Sequence, residues 1–91
     1  MPRRLPPLNA LKAFEAAARH ESFTRAAEEL ALAQPTVSGL LRKLSETVGE
    51  PVMYARGGRV ELTPAGRDVA LLCEEVLGSL SRFDERRREQ P

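Results

Sequence analysis

The chain has 91 residues, enough for one domain with a modest core, and its 14 basic and 13 acidic side chains leave a net charge of +1. A single cysteine excludes an internal disulfide, and a single histidine has no partners with which to form a metal site or a catalytic constellation. No apolar run is long enough to span a bilayer and no signal peptide is evident, so the expectation is a cytoplasmic binding protein without a cofactor, not an enzyme.

After Pro6 and Pro7 the apolar spacing predicts a helix over 8–20, with Leu11, Phe14, Ala17 and Ala18 turned to the core and His20 at an end where a cation suits the helix dipole. The stretch 22–49, SFTRAAEELALAQPTVSGLLRKLSETVG, then reads as two helices joined by a tight turn. The first is expected to begin at Thr24, whose hydroxyl would cap the free N–H groups of the next turn, and it carries Ala26, Ala27 and Leu30 on one side. The second opens at Gln34 and Pro35, where a proline's missing N–H is not missed, and runs over 34–48. Val37, Leu41, Leu44 and Val48, with Leu40 beside them, are expected to form its buried face. Gly49 suits a left-handed C-cap, and Pro51 prevents the helix from resuming.

Two helices in this arrangement form a helix-turn-helix, which points to DNA. The exposed face of the second holds Gln34, Thr36, Ser38, Arg42 and Lys43. A glutamine amide can pair with the N6 and N7 edge of adenine, Thr36 and Ser38 can bond bases or phosphates, and Arg42 and Lys43 lie a turn later, where phosphates would be. A solvated polar face is the ordinary reading of any one amphipathic helix. The following segment strengthens the other reading: Val52 and Tyr54 alternate with Met53, Gly57 and Gly58 supply a turn, and Val60 and Leu62 alternate with Glu61. Such a hairpin is the wing of a winged helix, and Arg56 and Arg59 near its tip could reach phosphates or a minor groove.

The near-neutral total also conceals local basicity. Up to Ala27 five basic residues, Arg3 and Arg4 among them, face Glu15 and Glu21, and from Gln34 to Arg59 four basic residues face Glu46 and Glu50. The local field is what a polyanion meets.

The last helix is expected from Pro64, with Thr63 as its cap, into the charged tail DERRREQ. Val69, Leu72, Val76, Leu80 and Phe83 are spaced three, four, four and three, a seam of coiled-coil type, with Leu71 and Leu77 off it. A three-helix core cannot cover so long a stripe, so a second copy of the chain is the simplest partner. Cys73, between Leu72 and Glu74, is expected to be a small packing residue.

LNALKAF at 8–14, SFTRAAEEL at 22–30, QPTVS at 34–38 and LTPAG at 62–66 together resemble the N-terminal DNA-binding domain of LysR-type transcriptional regulators. The resemblance implies a mainly α fold: a winged helix-turn-helix with a three-helix core and a small hairpin over 1–63, then a linker helix over 64–91 used for dimerisation. It implies that Gln34, Pro35, Thr36 and Ser38 meet bases and backbone, that Thr24 and Arg25 approach phosphates, and that two linker helices pair antiparallel to set recognition helices on an interrupted dyad. The family's large effector domain is absent, so the chain is expected to be a DNA-binding domain cut from a longer regulator. Some positions depart from the pattern. Gly39 stands where an Arg, His or Gln is usual, Ser45 replaces a Glu, and the wing reads Val52, Met53, Tyr54, Ala55 with Gly58 at its tip. These departures keep open a second reading, a winged-helix protein-interaction module whose DNA face is weakened.

Overall fold

Alanines determine how closely the first two helices meet. The computed structural model describes residues 6–89; Arg3 and Arg4, counted above in the basic N-terminal excess, lie outside them. In α1 (Leu8–His20) the residues Ala10, Ala13, Ala16 and Ala17 are buried with Leu11 and Phe14, and in α2 (Phe23–Leu30) Ala26 and Ala27 are buried. Methyl groups at these positions let helices pack with little between them, and Phe14, 1% exposed, is among the largest side chains the core buries fully. Ala18, expected in the core, is only half-buried.

Two chain reversals build the motif, and neither uses glycine. Glu21 ends α1 at φ 53° and Ala31 ends α2 at φ 56°, both left-handed. Each is held by bonds back onto the preceding helix, Ser22 N–H to the Ala17 carbonyl at 3.2 Å and Leu32 N–H to the Ala27 carbonyl at 2.9 Å. The cap of α2 differs from the expectation. Ser22, not Thr24, is the N-cap: its hydroxyl accepts from the Arg25 N–H at 3.2 Å, and α2 therefore starts at Phe23. Both residue types are good caps, and only the extended backbone at Ser22, with ψ 128°, decides between them.

The third helix, α3 (Gln34–Val48), has the predicted bounds, with Pro35 in its first turn and Gly49 at φ 95° as its C-cap. Val37, Leu41 and Leu44 are buried, but Val48 is 39% exposed. It lies in the same row, yet the last turn extends past the core.

Strands β1 (Met53–Arg56) and β2 (Arg59–Leu62) pair antiparallel around Gly57 and Gly58, both at positive φ, as a two-residue hairpin turn requires. The register sets Met53 opposite Leu62 and Ala55 opposite Val60 on one face, leaving Tyr54, Arg56, Arg59 and Glu61 on the other. Val52 is fully buried just before the strand, and Met53, rather than Tyr54, continues the inner face. Val60 N–H donates to the Glu21 carbonyl at 3.1 Å, which ties the hairpin to the reversal after α1.

The final helix, α4 (Pro64–Glu89), has the expected cap: the Thr63 hydroxyl accepts from Gly66 N–H at 3.0 Å and donates to the Pro51 carbonyl at 2.6 Å. Gly66, Val69 and Cys73 are its buried residues. Cys73 donates from its thiol to the Leu11 carbonyl at 3.6 Å, and burial pushes that thiol up to about 11. The predicted packing role for Cys73 holds. Among the described residues no helix is long and apolar enough to cross a membrane.

Candidate nucleic-acid interface

Four side chains begin the exposed surface of the helix pair: Thr24 and Arg25 on α2, and Gln34 and Pro35 on α3, all exposed. Ala33 precedes α3 with no side chain able to cap it, Pro35 has no N–H, and the Thr36 N–H bonds the Ala33 carbonyl at 3.0 Å, so the first turn offers the positive end of the helix dipole with exposed side chains on it. Thr36 is exposed and Ser38 half-exposed in that same turn and the next.

The helical phase of α3 sorts the rest. Val37, Leu41, Leu44 and Val48 form the inward row; residues displaced by two positions, Pro35, Gly39, Arg42 and Glu46, have the same four-three-four spacing and lie on the opposite side. The centre of the outward face is therefore Pro35, Gly39, Arg42 and Glu46, with Thr36 and Lys43 on one flank and Ser38 on the other. Arg42, expected on the exposed face a turn after Ser38, lies at its centre. Glu46 was missed, although the spacing that marks the buried row also marks it. A methyl group at Gly39 would meet nothing within 4 Å, so this part of the face is open.

The wing is fixed to α3 and α4 at Pro51 and Val52. The Ser45 hydroxyl accepts from Val52 N–H at 3.2 Å, the Thr63 N–H bonds the Val52 carbonyl at 3.2 Å, and the Thr63 hydroxyl holds Pro51. Gly66 passes so close to Val52 that a methyl group there would overlap the Val52 carbonyl. This explains both Ser45, which anchors the chain leaving α3, and the glycine of the LTPAG run. Arg56 and Arg59 face each other across the turn on the outer face, each 75% exposed in its side chain. Glu61 lies 3.9 Å from Arg56 and Glu21 3.9 Å from Arg59, contacts loose enough to leave both guanidiniums able to pair elsewhere.

Behind this surface a charged cluster joins α1 to α2. Arg19 bonds Glu15 at 2.7 Å and Glu29 at 2.6 Å, and His20 Nε2 lies 2.7 Å from Glu29. Hydrogen bonds first from Arg19 and then from His20 hold the Glu29 carboxyl down to about 2. His20 thus meets a carboxylate across the helix pair, not only the end of its own helix.

On α4, Val69 belongs to the chain's own core at 5% exposure, which removes it from any surface seam. Val76 is half-buried against the core, whereas Leu72, Leu80 and Phe83 are 37%, 48% and 57% exposed.

Three packed helices, an open first turn on the third and an arginine-tipped hairpin define a winged helix-turn-helix. Residues 8–67 match the family model described as bacterial regulatory helix-turn-helix protein, lysR family, and the chain belongs to that family. It is 44% identical over 81 residues to the glycine cleavage system transcriptional activator of Escherichia coli K12, a match covering 89% of this chain and 27% of that protein. The chain thus spans about a quarter of that relative's length. Among solved structures it is similar to the BenM DNA-binding domain bound to catB site 1 DNA, with TM-score 0.82 and 27% identity over 90% of this chain and 91% of that one. It is also similar to the CbnR DNA-binding domain in complex with DNA, with TM-score 0.79 and 26% identity over 90% and 94% of the two chains.

Proposed function

We propose that this chain is the sequence-specific, double-stranded DNA-binding domain of a bacterial LysR-type transcriptional regulator acting in the cytoplasm. The observation that carries the reading is the first turn of α3, where Gln34, Pro35 and Thr36 are exposed at the positive end of a helix whose opposite face is buried. With that end in a major groove, Gln34, Pro35, Thr36 and Ser38 meet base edges and adjacent backbone. Arg25, Arg42 and Lys43 supply charge for phosphates, and Arg56 and Arg59 supply it from the wing. Leu72, Val76, Leu80 and Phe83 on α4 pair with a second copy, which tethers two weak half-site contacts on an interrupted dyad. The DNA complexes of the BenM and CbnR domains support the partner class.

Selection from random duplexes, followed by titration of the enriched sequence at two salt concentrations, tests the reading. Two half-sites about one helical turn or more apart and a steep fall of affinity with salt are expected. Gln34→Ala is expected to cost about 1 to 3 kcal/mol at one base pair per half-site. A flat salt response, or an equal loss on random DNA, sinks the proposal.

A second reading, a protein-interaction module, draws on the centre of the outward face, where Gly39 offers no side chain and Glu46 opposes phosphates. Retained dimerisation without measurable DNA binding would favour it.

A further inference from the structure

Thr24 stands free of the cap of α2, because Ser22 performs that role. Its hydroxyl instead donates across the turn to Gln34 Oε1 at 3.3 Å, a side-chain link between the two helices of the motif. Gln34 is the first residue of α3, and a long, exposed glutamine loses much rotamer freedom when a ligand fixes it. A bond that already restricts it reduces that loss. The bond also leaves the amide competent: Oε1 keeps a second lone pair and Nε2 keeps both N–H donors, the acceptor and donor that a bidentate contact to a base needs. At 3.3 Å the contact is long for an O–H···O pair, so it biases the amide and does not lock it.

We propose that Thr24 is a positioning residue for base readout, pre-setting the Gln34 amide toward the groove, and not a phosphate ligand. This rests on the reading above that Gln34 meets a base edge, and the measurement separates the two. Binding of the full chain to its selected duplex, and to duplexes changed at each base pair in turn, is compared for wild type, Gln34→Ala, Thr24→Val, Thr24→Ser and the Thr24→Val/Gln34→Ala double variant. Circular dichroism melts confirm that each is folded.

Gln34→Ala identifies the base pair concerned. At that same base pair Thr24→Val is expected to lower discrimination by about three- to tenfold, with affinity for random duplex within about twofold of wild type. Thr24→Ser, which keeps the hydroxyl, restores most of the discrimination. Thr24→Val adds nothing in the Gln34→Ala background, as coupled residues require. A uniform loss on all duplexes identifies a phosphate contact and overturns the proposal. So does an unchanged Thr24→Val, or failure of Thr24→Ser to rescue, while Gln34→Ala still flattens one base pair; the base-reading role of Gln34 then survives alone. If Gln34→Ala flattens no base pair, both fall.

Discussion

Gly39 and Gly66 both lie inside helices, yet their surroundings demand opposite outcomes on substitution. Gly39 is on the outward face of α3 with nothing within 4 Å of an added methyl, so it contributes only flexibility to the unfolded chain. Gly39→Ala is expected to stabilise the domain by about 0.5 to 1 kcal/mol. At Gly66 the methyl would overlap the Val52 carbonyl, and either α4 or the base of the wing must shift. Gly66→Ala is therefore expected to destabilise by about 1 to 3 kcal/mol. Urea midpoints of the two variants and wild type check both signs together; equal shifts would show that helix propensity, not the Val52 contact, governs Gly66. Ser45 illustrates the same dependence on neighbours. In the sequence it is only a departure from the family's usual Glu, while in the fold it anchors the Val52 N–H.

At the level of elements, α2 is a short helix of 8 residues that depends on its neighbours for order. Glu29 near its end bonds both Arg19 and His20 of α1. Its folded carboxyl lies at about 2 against an ordinary 4.5, so its contribution is fully present above about 4.5 and is lost as pH falls toward 2. Glu29→Gln is accordingly expected to lower stability at pH 7 and to converge with wild type near pH 2, read as urea midpoints across that range. A constant difference at all pH values would mean that packing, not charge, carries the effect. The cluster also marks the limit of what sequence reveals. Local signals were legible: Pro6 and Pro7 before α1, Pro35 and Gly49 around α3, and the glycine pair of the wing each fix an end or a turn by their own backbone chemistry. The exposed set Gln34, Thr36, Ser38, Arg42 and Lys43 was legible in the amphipathic pattern of the helix, and one further step of four residues from Arg42 reaches Glu46. What was illegible depends on partners distant in sequence or on an unfavoured backbone. Glu29 meets Arg19 ten residues away, Thr24 meets Gln34, and Glu21 and Ala31 take left-handed turns usually given to glycine. Val48 was misjudged because periodicity shows which side a residue is on, but not where the core stops.

Across the whole molecule, α4 is the element that the core cannot satisfy. Its 26 residues extend about 39 Å, but its buried residues are Gly66, Val69 and Cys73, all in the first half. Leu80 and Phe83 lie beyond them on the side that Val76 continues, 48% and 57% exposed, and burying such side chains is worth about 1.5 to 3 kcal/mol each. An antiparallel second copy would cover this stripe. It would also bring the partner's helix end, with Arg86, Arg87 and Arg88, back toward the first half of α4, where Glu74 and Glu75 are exposed. The double variant Leu80→Glu/Phe83→Glu is expected to shift sedimentation toward monomer while leaving the urea midpoint of the monomeric domain within about 0.5 kcal/mol, because neither residue belongs to the core. Leu71→Glu, at 61% exposure on the far side of the helix, serves as the control and is expected to leave association unchanged. The consequence for DNA is specific: affinity for a full dyad should fall by at least tenfold in the double variant, while affinity for an isolated half-site stays near wild type, since only the tethering of the second half-site is lost. Equal losses on dyad and half-site would instead locate Leu80 and Phe83 in the contact of each protomer with DNA, and the distal half of α4 would then be part of the binding surface itself.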